Sequence, residues 1–181
     1  MEDETSSNKI RLWEEIRGWL RDVFFAGLVS VLIIIFVVQP VRVDGTSMEP
    51  KLEPQDRILV NKVVYYFVDI QRGDIVVFWY PKDATKSFIK RVIGLPGEKV
   101  EIQSGIVLVN GQPLEESYVF SEYFDDKSSD PEIVAPGHYF VLGDHRNSSN
   151  DSRTWGTVPA QNIFGEAAFR YWPLSKLGLI R

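Results

Sequence analysis

An uncharged apolar run near the N-terminus constrains this chain more than any other feature. The 19 residues of the run, VFFAGLVSVLIIIFVVQPV from Val23 to Val41, include no Asp, Glu, Lys or Arg. As an α-helix rising 1.5 Å per residue, the run spans roughly 30 Å, the thickness of the hydrocarbon core of a bilayer. A buried helix of a soluble domain keeps a polar side, whereas Val31–Val38 is apolar all round. We therefore predict a membrane span.

The end of the run argues against a cleavable signal sequence. Such a sequence has a short apolar stretch followed by small residues of the Ala-x-Ala type. Here the run ends in Phe36-Val37-Val38-Gln39-Pro40, which offers no such site. We expect the segment to remain in the mature protein as an anchor.

Basic residues on either side of the run bear on its orientation. Four precede it and three follow it within about 20 residues: Lys9, Arg11, Arg17 and Arg21 before, and Arg42, Lys51 and Arg57 after. Because cytoplasmic flanks of membrane helices carry the excess of Lys and Arg, this count favours a cytoplasmic N-terminus.

Three segments follow from this pattern. Residues 1–22 form a polar tail and lead-in, residues 23–41 the transmembrane helix, and residues 42–181 a single β-rich domain. Ile10–Leu20 has apolar residues at helical spacing between charges. It is either an amphipathic helix lying at the membrane interface or the solvated first turns of the membrane helix itself.

The chain after residue 41 is typical of a mostly β fold. Short runs rich in Val, Ile, Phe and Tyr are separated by Gly, Pro and Asp. We predict strands within 57–66, 74–80, 87–93, 99–103, 139–142 and 167–172. Ile106–Val109 followed by Asn110-Gly111 predicts a hairpin, because its tight turn needs positive φ at both central residues. The acidic stretch 115–131 is expected to be a surface excursion.

Composition excludes several classes of function. The chain has no cysteine, which excludes a thiol nucleophile, a disulfide framework and a thiolate zinc site. Its two histidines, His138 and His145, are too few for a multi-histidine metal centre. A net charge of −5 without a long basic run argues against nucleic acid as a partner. No metal or other cofactor is expected, and the sequence specifies no oligomeric state.

Three stretches carry side chains that could perform chemistry: 43–50 (VDGTSMEP), 88–98 (FIKRVIGLPGE) and 143–153 (GDHRNSSNDSR). Taken singly, each has a plain structural interpretation: a turn leaving the membrane, a strand with a solvated lysine, and a loop pinned by short polar side chains. The third stretch also lacks the spacing of a calcium-binding loop.

Taken together and in this order, the three stretches resemble the type I signal peptidases, membrane-anchored proteases of bacteria and organelles. The resemblance rests on Gly-x-Ser-Met-x-Pro at 45–50, Lys-Arg-Val-x-Gly-x-Pro-Gly-Glu at 90–98, and Gly-Asp-x-Arg-x-x-Ser-x-Asp-Ser-Arg at 143–153. Arg-Gly-Asp-Ile-Val-Val-Phe at 72–78 is similar to a fourth box of the family. The similarity extends over nearly the whole chain after the apolar run.

The resemblance implies a catalytic pair. Ser47 takes the position of the nucleophile and Lys90 that of its general base. A serine hydroxyl needs a base to remove its proton, and a lysine amine can serve only when uncharged. Burial among Phe88, Ile89 and other aliphatic side chains would lower the pKa of Lys90 from about 10.4. We therefore expect activity to rise towards alkaline pH.

The resemblance also implies supporting residues. Ser149 is expected beside the Lys90 amine, which it would orient by a hydrogen bond, while Asp151 and Arg153 would form an ion pair that supports the loop. The Ser47 backbone N–H is expected to stabilise the oxyanion. Some family members add a serine hydroxyl two residues earlier, where this chain has Gly45. The family also commonly has Thr and Asn where this chain has Lys51 and His145.

The substrates implied by the resemblance are preproteins with N-terminal signal peptides, cut after small residues in shallow apolar pockets. The residues that match the pocket positions are Val41, Val43, Met48, Leu52, Phe88 and Ile89. For Val41 and Leu52 an ordinary place in the β core is an equal alternative. The enzyme would sit in a cell membrane with its catalytic domain on the extracytoplasmic side, holding Ser47 six residues beyond the span and close to the lipid bilayer.

The sequence leaves three other functions open. Self-cleaving repressors have a related Ser-Lys domain, but they carry a DNA-binding module where this chain has an apolar span. A metal-dependent hydrolase would use Asp144, His145, Asn147 and Asp151, with few further ligands to complete the site. A membrane-tethered β domain that only binds a partner is the third, since fold alone does not establish activity.

Overall fold

The computed structural model describes residues 2–180, which form two compact units that divide between Val38 and Gln39. The first unit is one long helix, α1 (Glu2–Phe36). Between Glu15 and Phe36 this helix is long and apolar enough to cross a membrane, and its apolar side chains there are exposed. One continuous helix thus covers the lead-in segment and the apolar run as far as Phe36.

The helix ends earlier than the sequence suggested. The apolar run continues to Val41, but α1 ends at Phe36 and a strand begins at Val38. Pro40 explains the difference, because its ring would clash with the carbonyl of Phe36 if the helix continued, and the residue before a proline disfavours helical geometry. The last backbone bond of the helical segment runs from the Val37 N–H to the Ile33 carbonyl, at 2.8 Å.

The second unit is mostly β, as predicted. Its strands are β1 (Val38–Arg42), β2 (Arg57–Asn61), β3 (Ile75–Tyr80), β4 (Asp83–Gly94), β5 (Lys99–Gln103), β6 (Ile106–Val109), β7 (Gln112–Pro113), β8 (Ser129–Ile133), β9 (His138–Leu142), β10 (Val158–Pro159), β11 (Ile163–Trp172) and β12 (Gly178–Leu179). One short helix, α2 (Ser152–Trp155), and five 3₁₀ turns at Val64–Tyr66, Ser121–Tyr123, Arg146–Ser148, Ala160–Asn162 and Leu174–Lys176 complete it.

The strands form two sheets. The larger sheet has the order β1-β2-β11-β3-β4-β9-β10, with β12 also paired to β11. The smaller has the order β7-β6-β5-β8. The strand β4 lies between β3 and β9, with Lys90 opposite Val76 and Arg91 opposite both Ile75 and Leu142. Because both of its edges are paired at this point, the second half of β4 is buried while its first half is exposed.

Three clusters of buried side chains form the core. One packs Met48 and Leu52 against β2 and β3, the second fills the smaller sheet and its contact with β9, and the third joins Phe78 and Trp155 beneath β3, β4 and β9. The first cluster matters most for function, since it fixes the turn that follows β1.

Local sequence patterns account for several elements. The predicted hairpin is confirmed: β6 pairs with β7, and Asn110 and Gly111 have φ of 53° and 79°. The run 57–66 is shorter as a strand than expected, since β2 ends at Asn61. There the Asn61 side chain accepts a hydrogen bond from the Val63 N–H, and a 3₁₀ turn follows.

Candidate active site

The turn after β1 presents Ser47. The Val43 N–H donates to the Asp56 carbonyl, and the Glu49 N–H closes the turn on the Thr46 carbonyl at 3.0 Å. Met48, next in the chain, is 1% exposed and packs in the first core cluster. Burial of Met48 therefore holds the neighbouring Ser47, which is half-buried, at the surface of that cluster.

Lys90 reaches this turn from β4. Its side chain is buried, and its Nζ lies 2.6 Å from Ser47 Oγ and 3.0 Å from the Ile89 carbonyl oxygen. The ring of Phe88 lies 5.3 Å from the same nitrogen. The fold thus brings together an amine and a hydroxyl 43 residues apart in sequence.

The surroundings of the amine favour its uncharged form. Burial lowers the pKa of Lys90 to about 8, and the charge of Arg153 acts in the same direction. The carboxylates of Asp151 and Asp144 raise the pKa and oppose part of this effect. With a pKa of about 8, about a tenth of the molecules carry an uncharged amine at pH 7, far more than for an exposed lysine.

The loop after β9 lies against the serine turn, and Gly143 makes the close approach possible. A Cβ at this position would collide with Ser149 Oγ and with the Ser47 carbonyl oxygen. The Gly143 N–H donates to Asp151 Oδ2 at 3.1 Å, and the His145 N–H donates to the Ser47 carbonyl at 3.1 Å. The close packing of the two segments therefore requires glycine at position 143.

Asp151 and Arg153 form the ion pair that the sequence suggested. Arg153 Nε and Nη2 lie 2.8 Å from the two carboxylate oxygens of Asp151, which is fully buried. Arg153 also donates to the Arg146 carbonyl and to Asp125. Since Asp151 in turn accepts from Gly143, the pair braces both ends of the loop.

Ser149 lies in this loop, but the expected hydrogen bond to Lys90 is absent. The two acceptors of the Lys90 amine are Ser47 Oγ and the Ile89 carbonyl. Ser149 Oγ is buried and has no hydrogen-bond partner among residues 2–180. The predicted hydrogen bond between Ser149 and Lys90 is therefore not formed in this structure: the amine contacts Ser47 Oγ, and the Ser149 hydroxyl lies against Gly143.

A second buried ion pair was not predicted. Arg91, next to Lys90, donates through Nε and Nη2 to both oxygens of Asp144 at 2.8 and 2.6 Å. The ring of Tyr118, from the acidic excursion, lies 4.0 Å from the guanidinium carbon. This bidentate pair ties β4 to the loop after β9. Both residues belong to the family motifs, but nothing in their spacing specifies the pairing.

Ser47 and Lys90 lie in a cleft of about 510 Å³, a volume within the usual range for binding sites. Five of the six predicted pocket residues line it: Val41, Val43, Met48, Phe88 and Ile89. Leu52 takes the second of its two predicted places, the β core, since this side chain is fully buried in the first core cluster, one helical turn beyond Met48. The cleft residues that the sequence did not single out for the pocket are Arg42, Asp44, Gly45, Thr46, Ser87, Ser148 and Asn150.

The cleft offers a free donor beside the serine. Among the hydrogen bonds of residues 2–180, none uses the Ser47 N–H. Gly45 lines the same cleft, and a Cβ there would meet nothing within 4 Å. The site can therefore supply a nucleophile, a base and one backbone donor, while position 45 contributes no side-chain donor.

The residues of the metal alternative are engaged elsewhere. Asp144 pairs with Arg91, and Asp151 with Arg153. Within the described part of the chain, no three His, Asp or Glu side chains come together as a ligand group. The two carboxylates brace the loop instead.

This chain is similar in sequence to a family of known proteins. The family model "Signal peptidase, peptidase S26" matches residues 16–172. Signal peptidase I of Leptolyngbya laminosa is 44% identical over 167 residues, covering 88% of this chain and 81% of the relative. Probable signal peptidase I-1 of Synechocystis sp. is 42% identical over 174 residues, covering 92% and 87%.

A crystal structure of a signal peptidase I from Enterococcus faecalis V583 is also similar. Its sequence is 35% identical, and the match covers 55% of this chain and 97% of that one, with a TM-score of 0.49. The family match spans most of the chain, including the serine turn, β4 and the loop after β9. This chain belongs to the signal peptidase family, peptidase S26.

Proposed function

We propose that this chain is a membrane-bound serine endopeptidase that removes N-terminal signal peptides from exported preproteins after small residues, with Ser47 and Lys90 as its catalytic dyad. The observation that carries the proposal is the 2.6 Å contact between a buried Lys90 amine and Ser47 Oγ. The substrate class is supported by relatives named signal peptidase I, which match over most of their length.

The first step is acylation. The uncharged Lys90 amine takes the proton from Ser47 Oγ as this oxygen bonds to the scissile carbonyl carbon. The carbonyl oxygen becomes an oxyanion, which accepts a hydrogen bond from the Ser47 N–H. Lys90 then gives the proton to the leaving amine while the carbon–nitrogen bond breaks, and the signal peptide remains as an ester on Ser47.

The second step is hydrolysis of the ester. Lys90 takes a proton from water as the water oxygen bonds to the ester carbon, and the proton passes to Ser47 Oγ when the carbon–oxygen bond breaks. In the acylated state Ser47 Oγ is bonded to the substrate. The buried Ser149 hydroxyl, which has no partner in residues 2–180, is then available to orient the amine.

The remaining site residues bind or support. Apolar side chains line the cleft beside Ser47 and leave shallow pockets suited to the small residues at −1 and −3 of a cleavage site: Val41, Val43, Met48, Phe88 and Ile89. The Asp151–Arg153 pair fixes the loop that carries Ser149 and Gly143.

The apolar helix gives the proposed enzyme its location. Residues 15–36 would anchor it in the membrane that holds its substrates. The excess of basic residues before the uncharged run, four before Val23 against three after Val41, supports a cytoplasmic N-terminus and an extracytoplasmic catalytic unit. Because the chain has no cysteine, an Ile133→Cys variant tests this orientation: a membrane-impermeant thiol reagent should label it from the outer side of intact cells. Labelling only after lysis would reverse the orientation.

The proposal is tested with the full chain in proteoliposomes and a preprotein that carries Ala at −1 and −3. We expect one cut after the −1 residue, identified by mass spectrometry, and loss of cleavage when that Ala is replaced by a bulky Leu, which the pockets cannot hold. Cutting at unrelated bonds would contradict the assigned substrate class. Loss of activity with a chelator would support the metal-dependent alternative instead.

A further inference from the structure

The Thr46 carbonyl, next to the proposed nucleophile, has two neighbours that can donate to it. The Glu49 N–H donates to it at 3.0 Å, and His145 Nδ1 lies 3.1 Å from the same oxygen. The second neighbour of Nδ1 is Glu49 Oε2, at 3.2 Å. Since both neighbours of this nitrogen are acceptors, the ring carries its proton on Nδ1 and donates from there.

This carbonyl belongs to the same peptide unit as the Ser47 N–H. The cis peptide bonds of the described chain are Glu49–Pro50 and Trp172–Pro173, so the Thr46–Ser47 bond is trans. In a planar trans unit the C=O and N–H point in opposite directions. Holding the Thr46 oxygen therefore sets the direction in which the Ser47 N–H points.

The imidazole itself is held on several sides. The backbone N–H of His145 donates to the Ser47 carbonyl, and the ring packs edge-on against Tyr123 with centroids 4.4 Å apart. The side chain is only 16% exposed. His145 thus contacts the carbonyls on both sides of the Ser47 N–H and side chain, those of Thr46 and Ser47. Its own ring is held in place by Tyr123.

From these contacts we propose that His145 is a positioning residue of the oxyanion hole, which acts by fixing the Thr46–Ser47 peptide unit. The inference rests on the function proposed above. A hydrogen bond to the carbonyl fixes the N–H in the direction that the oxyanion requires and polarises it as a donor. Position 45 supplies no hydroxyl, so catalysis depends on this N–H more than it would with a second side-chain donor.

The test uses the full-length enzyme in detergent with a signal-peptide substrate. For His145→Ala we expect kcat to fall by about tenfold or more, since loss of a whole oxyanion donor costs about 10²–10³. KM should stay within about twofold, because the ground-state peptide does not need this donor. For His145→Asn we expect kcat to recover largely, because the Asn Nδ2 lies at the same distance from the backbone as His Nδ1.

A peptide aldehyde gives a second readout. Its carbonyl carbon bonds to Ser47 Oγ, the serine proton passes to Lys90, and the former carbonyl oxygen occupies the oxyanion position. His145→Ala should weaken this inhibitor in proportion to the loss of kcat, while the matching peptide amide binds unchanged. The pH at which kcat is half-maximal should not move, because His145 is not the base.

Two controls separate this role from general support of the loop. His138→Ala removes the other histidine, whose Nδ1 also lies 3.1 Å from a backbone carbonyl, that of Pro136, and should leave kcat unchanged. Glu49→Gln removes the charge next to His145 but keeps the contact with Thr46, and should also have little effect.

Three results would overturn the positioning role: an unchanged kcat in folded His145→Ala, no recovery in His145→Asn, or an equal loss in Glu49→Gln. Failure of the proposed function looks different. In that case the Ser47→Ala variant keeps its activity whatever residue stands at 145.

Discussion

Replacing Lys90 with methionine is expected to lower kcat/KM by about 10⁴-fold or more, comparable with the loss of a catalytic base in other serine proteases. Methionine fills a similar space but cannot accept the Ser47 proton. The measurement is cleavage of a preprotein by full-length enzyme at saturating and limiting substrate. Lys86→Met is the matched control, because Lys86 lies on the same strand but is exposed and paired with Asp83.

The same variant should be more stable than the natural chain at neutral pH. Burial lowers the pKa of Lys90 from 10.5 to about 8, so below pH 8 the folded protein holds a charge that it disfavours. Between pH 8 and 10.5 the unfolded chain binds more protons at this site, and the natural protein therefore gains stability as the pH rises. Keeping Lys90 charged in the folded protein destabilises it by about 3 kcal/mol at pH 7, and Lys90→Met removes this destabilisation.

Thermal unfolding in detergent measures this effect. We expect the unfolding midpoint of Lys90→Met to exceed that of the natural protein at pH 7, with a difference that shrinks towards pH 10.5. Retained cleavage would refute Lys90 as the base. If Lys90→Met instead lost the same stability at every pH, burial would not disfavour the charged form of the Lys90 amine.

Ser47→Ala is the second large effect, with an expected loss of kcat/KM of about 10⁴-fold or more at unchanged folding. The substitution removes the oxygen that would bond to the substrate and keeps the backbone N–H. Because nucleophile and base act as a unit, the double variant Ser47→Ala with Lys90→Met should be no slower than either single variant. Kinetics of the three variants against an exposed Ser175→Ala control measure this. Multiplying losses in the double variant would mean that the two groups act independently.

The sequence contained enough information for the fold class and most strands, because alternating β-rich runs and the Asn110-Gly111 turn are local signals. Counting apolar residues did not predict where α1 ends, because Pro40 stops the helix before the apolar run is over. The full length of β4 was also not predicted. Its exposed first half has few apolar side chains and is held in strand geometry by pairing with β3.

The three motifs, taken in their order along the chain, predicted Ser47 and Lys90 as the catalytic pair. The motifs do not show what surrounds these two residues in the fold. Burial of Lys90 depends on β9, which lies about 50 residues further along the chain and pairs with the next residue of β4. For Leu52 both the pocket and the core were predicted, because matching a residue to the family's pocket positions does not tell cleft from core. The contacts of His145 with Thr46 and Tyr123 join three distant segments and leave no local signal.

The account rests on an uncharged amine at position 90, and chemical rescue tests this most directly. The chain has no cysteine, and position 90 lines an open cleft. A Lys90→Cys variant can therefore be alkylated with 2-bromoethylamine at that site alone, which restores an amine at the place of Nζ. The natural enzyme treated in the same way is the control.

The pH dependence of kcat/KM is then compared for the natural, Cys and alkylated proteins. For the natural enzyme we expect kcat/KM to fall about tenfold per pH unit below a pKa of about 8. The Cys variant should be inactive. Alkylation should restore cleavage, with the acidic limb moved to lower pH because the sulfur withdraws electrons from the amine. A fully alkylated protein that stays inactive, or a restored activity with an unmoved limb, would contradict the role of Lys90 as the base.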